Sequence, residues 1–157
     1  MGEIFKNIFA KQVDVFGLKI YATEGISDSD TLHAAYVQAE YLDNDEDGLV
    51  DDPLLVEKLL EKKAHIVIFK TEAHANRKID KLDDLSEELN FNITELYGNE
   101  TFPKGSSKRG FDSSLEEILH SITHYGYSEV YPEALAINQD SILTNACLLY
   151  TSPSPRD

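Results

Sequence analysis

Asp43-Asn44-Asp45-Glu46-Asp47-Gly48-Leu49-Val50-Asp51 is the stretch around which the rest of the chain arranges itself. Side chains at its first, third and fifth positions can converge on one point only if the backbone turns sharply at the sixth. Gly48 stands there, without the Cβ that makes a left-handed turn costly. The groups expected to converge are the carboxylates of Asp43, Asp45 and Asp47, with the backbone carbonyl of Leu49 and the carboxylate of Asp51, directly or through water, as further oxygens. A hard divalent cation, calcium above all, takes an all-oxygen set of this kind. Upstream, Ser27-Asp28-Ser29-Asp30 supplies N-cap candidates, and Leu32, Ala35, Tyr36, Ala39 and Leu42 recur at helical spacing, which predicts a helix from about Ser29 to Leu42. Downstream, Asp52-Pro53 reads as N-cap and first helical residue. The helix it opens runs to Lys63, with Leu55, Val56, Leu59 and Leu60 inward and Lys62-Lys63 at the negative end of the dipole. The acidic loop therefore joins two helices, a helix-loop-helix over about 29–63.

Further out the pattern alternates. Val13 to Phe16 and Leu18 to Thr23 are β-rich runs around Gly17, a hairpin or one bent strand. His65-Ile66-Val67-Ile68-Phe69 is a short apolar run that suits a buried strand. Lys81 to Leu89 reads as a polar helix, Phe91 to Tyr97 as strand-like, and Thr101 to Gly110 as a Gly/Ser/Lys loop. Asp112 or Ser113 caps a helix from about Ser114 to Tyr125 that Gly126 ends, and Pro132 to Ile137 opens another. Strands interleave with helices without a regular βαβ rhythm, so the expected class is α+β, a single domain over residues 1–146.

The last residues, Cys147 to Asp157, resemble the conceptual translation of a transposase-borne sequencing adapter. They are set aside as non-native, and the chain is expected to be the N-terminal piece of a longer protein. Without Cys147 there is no cysteine, which excludes disulfides and zinc-thiolate sites. The formal charge of −15 survives removal of the tail, because Arg156 and Asp157 cancel. Such a surface repels phosphate backbones and anionic lipids, so nucleic acid is not an expected partner and cations are. No apolar run reaches the length of a membrane span, and Met1 to Lys6 contains no signal-peptide core.

The spacing D-x-D-x-D-G-x-x-D over Asp43–Asp51 resembles an EF-hand-type calcium loop. In that family the twelfth position carries a bidentate Glu. Here it is Leu54, and Asp52 or Glu57 are the carboxylates near enough in sequence to complete the shell. The resemblance implies a structural calcium ion held with an affinity on the order of 10⁻⁴ to 10⁻³ M. No second loop of this type is present to pair with it, unlike in calmodulin-type switches.

A second segment carries chemistry-bearing residues. In Leu115-Glu116-Glu117-Ile118-Leu119-His120-Ser121-Ile122-Thr123-His124, the residues Glu116, His120 and His124 form one helical row with Glu117 beside it. Leu115, Ile118, Leu119 and Ile122 lie opposite. Glu116 to His120 resembles the H-E-x-x-H helix of zinc metallopeptidases, with Glu116 in the place of the first histidine. The resemblance implies His120 as a zinc ligand, Glu117 as general base and Glu116 as a substitute oxygen ligand, while His124, one turn further along and off the family's third-histidine position, is a further candidate ligand. More broadly, Leu32-His33-Ala34-Ala35 leading into Tyr41 to Gly48, followed by Glu116-Glu117-x-x-His120 and Tyr125-Gly126-Tyr127, looks like an uncharacterised group of large, often extracellular proteins, a similarity over most of residues 14–137 that implies a zincin-like fold. Asn92-Ile93-Thr94 and Asn99-Glu100-Thr101 are glycosylation sequons that incline the compartment the same way. His33, His65 and His74 lack ligand spacing, and Lys104, Lys108 and Arg109 form a small basic loop. Three functions stay open: a calcium-binding domain, a zinc-dependent hydrolase centred on His120 and Glu117, and an acidic interaction domain without metal.

Overall fold

Phe16 and Gly17 reverse the chain with φ of 50° and 90°, the left-handed pair that matches the twist of two antiparallel strands. The Asp14 carboxylate accepts the Gly17 N–H at 2.9 Å and fixes the turn. The result is a hairpin of β1 (Phe9–Val15) and β2 (Leu18–Thr23). The computed structural model describes residues 8–78, 84, 87, 90–105, 110–136 and 141–151. Most of the helix expected over Lys81 to Leu89, together with Lys108, Arg109 and Ile137, lies outside the described residues.

From β2 the chain enters α1 (Asp28–Leu42), where the Ser27 hydroxyl accepts the Asp30 N–H at 3.0 Å. It passes the acidic loop into α2 (Pro53–Glu61) and returns as β3 (Ala64–Phe69), which lies parallel to β2. A short helix, α3 (Glu72–Asn76), follows. Then β4 (Asn92–Tyr97) pairs parallel to β3. The four strands form one mixed sheet in the order β1-β2-β3-β4. The α+β class holds, and the two parallel crossovers are more βαβ-like than the sequence rhythm implied.

One sheet face carries Leu18, Ile20, Ile66, Ile68 and Leu96, buried under helices α1, α2 and α4 (Ser113–Ile122). Helix α1 packs on β1 and β2, and α4 on β3 and β4. The opposite face buries Phe9, Tyr21, Val67 and Phe69 with Ala75 of α3. The inward stripe of α1 differs from the expected one, since Leu32 and Tyr36 are each 59% exposed. Ala35 and Leu42 face inward as expected, joined by Thr31, Ala34, Val37 and Gln38, and two alanines on the stripe let the helix lie close to the sheet where larger side chains would hold it off. Leu60, Leu115 and Leu119 are likewise exposed, while Ile118 and Ile122 anchor α4.

Gly126 does not end the helix. The chain continues from α4 through a π-helical turn (Thr123–Tyr127), then α5 (Ser128–Val130) and α6 (Pro132–Leu135). The last helix, α7 (Ile142–Thr151), crosses the boundary at Cys147 drawn from the sequence. Its start is held by Ser141, whose hydroxyl accepts the Thr144 N–H at 3.1 Å. Ile142, Leu143 and Leu148 on it stay exposed.

Candidate metal centre

The acidic loop is closed at its neck by the chain's own backbone, since the Asp51 N–H donates to the Leu42 carbonyl at 2.9 Å. Inside, Asp43 is buried and both of its oxygens work. Oδ1 accepts the Asp47 N–H at 3.1 Å and Oδ2 the Gly48 N–H at 2.9 Å. Asp45 Oδ1 also takes the Asp47 N–H at 3.3 Å, and Asp51 Oδ2 takes the Asn44 N–H at 2.9 Å. Glu46 and Gly48 adopt φ of 58° and 85°. A Cβ on Gly48 would meet nothing within 4 Å, so the glycine serves the backbone angle and not a tight space.

These bonds fold the loop so that carboxylate oxygens of Asp43, Asp45 and Asp51 lie within 4.8 Å of one another. Among the described residues this is the group of three or more ligand-bearing side chains so placed. Like charges at that separation repel by about 1 to 3 kcal/mol per pair at surface dielectrics, a cost that a cation among them would turn into attraction. Asp47 stands outside the trio; its Oδ1 accepts the Leu49 N–H at 2.8 Å. Val50 packs against the main core, which anchors the loop's exit.

Asp52 lies outside the trio and is engaged elsewhere. Its Oδ1 caps α2 by accepting the Leu54 and Leu55 N–H groups at 3.1 and 3.2 Å, and its Oδ2 accepts the Tyr131 hydroxyl at 2.6 Å. That hydrogen bond raises the Tyr131 pKa, and burial followed by the charges of Asp52 and Asp51 raises that of Tyr127. The π-helical turn braces α2 from the same side. A Cβ on Gly126 would fall 2.4 Å from Leu55 Cδ1, and Lys62 pairs with Glu129 at 3.0 Å. Single π turns inside helices recur at functional sites, and here the turn supports the helix that leaves the acidic loop.

On α4, Glu116 Oε1 and His120 Nε2 approach to 3.6 Å, both well exposed. Glu117 is partly buried. Burial raises its pKa, Glu116 and Glu100 push the same way, and His120 opposes them. His124 is exposed and stacks edge-on against Tyr125 at 4.6 Å. Among the described residues no third ligand-bearing side chain joins Glu116 and His120 within 4.8 Å.

A buried polar array escaped the sequence reading. His33 Nε2 lies 2.6 Å from Asp112 Oδ2, while Asp112 Oδ1 accepts the Ser114 hydroxyl at 2.7 Å and the Phe102 N–H at 3.2 Å. Burial alone would raise the Asp112 pKa, but the bonds from Ser114, His33 and Phe102 outweigh it and lower the value. Ser114 is fully buried and the His33 side chain keeps 18% of its surface exposed, so the array joins α1 to the start of α4 with only the imidazole edge reaching solvent. Only the Asp112 cap was visible locally; the 79-residue separation hides His33. Both sequons are engaged as well. Asn92 Nδ2 donates to the Lys62 carbonyl at 2.6 Å, and the buried Thr101 hydroxyl donates to the Tyr97 carbonyl at 3.0 Å.

Among the described residues, no helix is long and apolar enough to cross a membrane. No protein-family model, curated protein or solved structure matches the chain.

Proposed function

We propose that the loop from Asp43 to Asp51 binds a calcium ion whose role is structural. The observation that carries this reading is the convergence of Asp43, Asp45 and Asp51 oxygens within 4.8 Å, in the register expected of an EF-hand-type loop. The Leu49 carbonyl and Asp47 are the remaining donors the register supplies. An ion there would relieve the mutual repulsion of the carboxylates and stiffen the junction of α1 and α2, adding its binding free energy to folding.

The test is a calorimetric calcium titration of the full chain beside Asp45→Ala, with thermal melts and a zinc control. Asp45 is the residue to change, because it is exposed and makes one long bond within the loop, whereas Asp43 holds the loop together. At a hundredfold excess over Kd, binding stabilises by about 2.7 kcal/mol, which for a chain of this size raises Tm by roughly 5 to 10 °C. Saturable heat and that rise, both lost in Asp45→Ala, are the expected results; no heat and no shift in a folded sample would sink the proposal. Zinc hydrolase chemistry is the second reading, resting on the Glu116–His120 approach of 3.6 Å. It requires zinc binding that His120→Ala abolishes.

A further inference from the structure

Strands β2, β3 and β4 run parallel, so their carboxyl ends open on one edge of the sheet. The segments leaving those three ends line a crevice of about 240 Å³. Ile26 and Asp30 follow β2, Lys70 and Thr71 follow β3, and Gly98 and Asn99 follow β4. The acidic loop lies at the far end of α1, whose 15 residues span about 22 Å, so the two sites are separate.

The floor is the buried side chain of Ile26. A Cβ on Gly98 would lie 2.9 Å from Ile26 Cδ1 and 3.7 Å from the Phe69 carbonyl oxygen, so glycine is what lets the chain after β4 close onto that floor. The walls carry opposite charges. Among the described residues, the Asp30 carboxylate and the Lys70 ammonium make no ion pair, with each other or with another side chain. Thr71 Oγ1 accepts the His74 N–H at 3.2 Å, and among the described residues its O–H donates to no acceptor. The N-terminus of α1 is capped by Ser27 and carries Asp28 and Asp30 in its first turn, and with a net charge of −15 the crevice disfavours a polyanion. Its volume lies below the roughly 300–1,000 Å³ of drug-sized sites.

We propose that this crevice binds a small zwitterion of amino-acid type. The ligand's carboxylate faces Lys70 and the Thr71 hydroxyl, its ammonium faces Asp30, and its side chain rests on Ile26. One ligand then satisfies two charges of opposite sign that have no partner in each other.

The experiment is an amide chemical-shift titration of the full-length chain with L-serine into the millimolar range, in calcium-free buffer so that it is independent of the acidic loop. N-acetyl-L-serine, L-serinamide and inorganic phosphate are run in parallel. Saturable shifts confined to the amides of Thr71, Gly98 and Asn99 are expected, with Gly48 unmoved. Affinity should fall at least tenfold for N-acetyl-L-serine and L-serinamide, and to a similar extent in Asp30→Asn and Lys70→Met. The dispersed spectrum of each variant reports that it is folded. Unmoved crevice amides in the folded chain would overturn the proposal, as would equal binding of the two blocked serines. Shifts with phosphate but not with serine would replace the zwitterion by an anion and overturn it too.

Discussion

Gly126→Ala sets two effects of known size against each other. Replacing a helical glycine by alanine ordinarily stabilises by about 0.5 to 1 kcal/mol, through the lower entropy of the unfolded chain. Here the new methyl would sit 2.4 Å from Leu55 Cδ1 and 3.1 and 3.2 Å from two Leu59 atoms. Both leucines are 1% exposed, so neither can swing away into solvent. Overpacking of this kind costs about 1 to 3 kcal/mol and should outweigh the entropic gain, leaving a net loss of about 1 to 2 kcal/mol. Urea denaturation should show a lower midpoint at unchanged slope, and Tm should drop by roughly 2 to 8 °C. The double variant with Leu55→Ala makes the argument specific, because removing the obstructing methyls should leave the pair less destabilised than the sum of the single changes. A Gly126→Ala protein as stable as the parent, or more so, would refute the close approach and with it the bracing of α2 by the π turn.

Asp52→Ala should cost about 0.5 to 2 kcal/mol by uncapping α2, and Tyr131→Phe about 0.5 to 1.5 kcal/mol, both read by urea midpoints; additive losses in the double variant would contradict the shared hydrogen bond of 2.6 Å. The His65 ring is held between Tyr21 and Phe91, where burial first, then the charges of Lys19 and Lys63, push its pKa down to about 4. The folded protein thus takes up this proton less readily than the unfolded chain, so the stabilising contribution is complete above about pH 6.5 and is lost as pH falls toward 4. Allowing for the ring's partial contact with water, the loss is about 1 to 2 kcal/mol; urea midpoints between pH 7 and 4.5 should fall less steeply in His65→Phe, and identical slopes would count against it.

What the sequence made legible is what short-range chemistry determines. The Ser27 cap, the Asp52-Pro53 start of α2 and the Gly17 turn each involve residues within a few positions of one another, and each stands where expected. The convergence of Asp43, Asp45 and Asp51 belongs to the same class, since the glycine and the carboxylate-to-amide bonds that shape the loop are local, although Asp47, expected to join them, stands outside. Ala35 and Leu42 of α1 stand buried where expected, but the exposure of Leu32 and Tyr36 was not legible, because helical spacing alone does not say which edge of an apolar stripe turns to the sheet. Gly126 read as a helix end because its reason for being glycine, the contact with Leu55 and Leu59, is tertiary. Asp52 read as a spare ligand because its partner Tyr131 is 79 positions away. The crevice at the strand ends needed the parallel pairing of β3 with β4, which no single segment encodes.

Because the strands lie across the sheet in the order in which they occur in the chain, assembly can proceed vectorially. The hairpin of β1 and β2 closes over a two-residue turn, an event on the order of microseconds, and leaves one edge of β2 open. Each later strand then docks on the edge left by its predecessor, after a crossover whose closure is slower. None of the four described strands has to be inserted between two that are already paired, so a nascent chain can lay them down from one side in step with its synthesis.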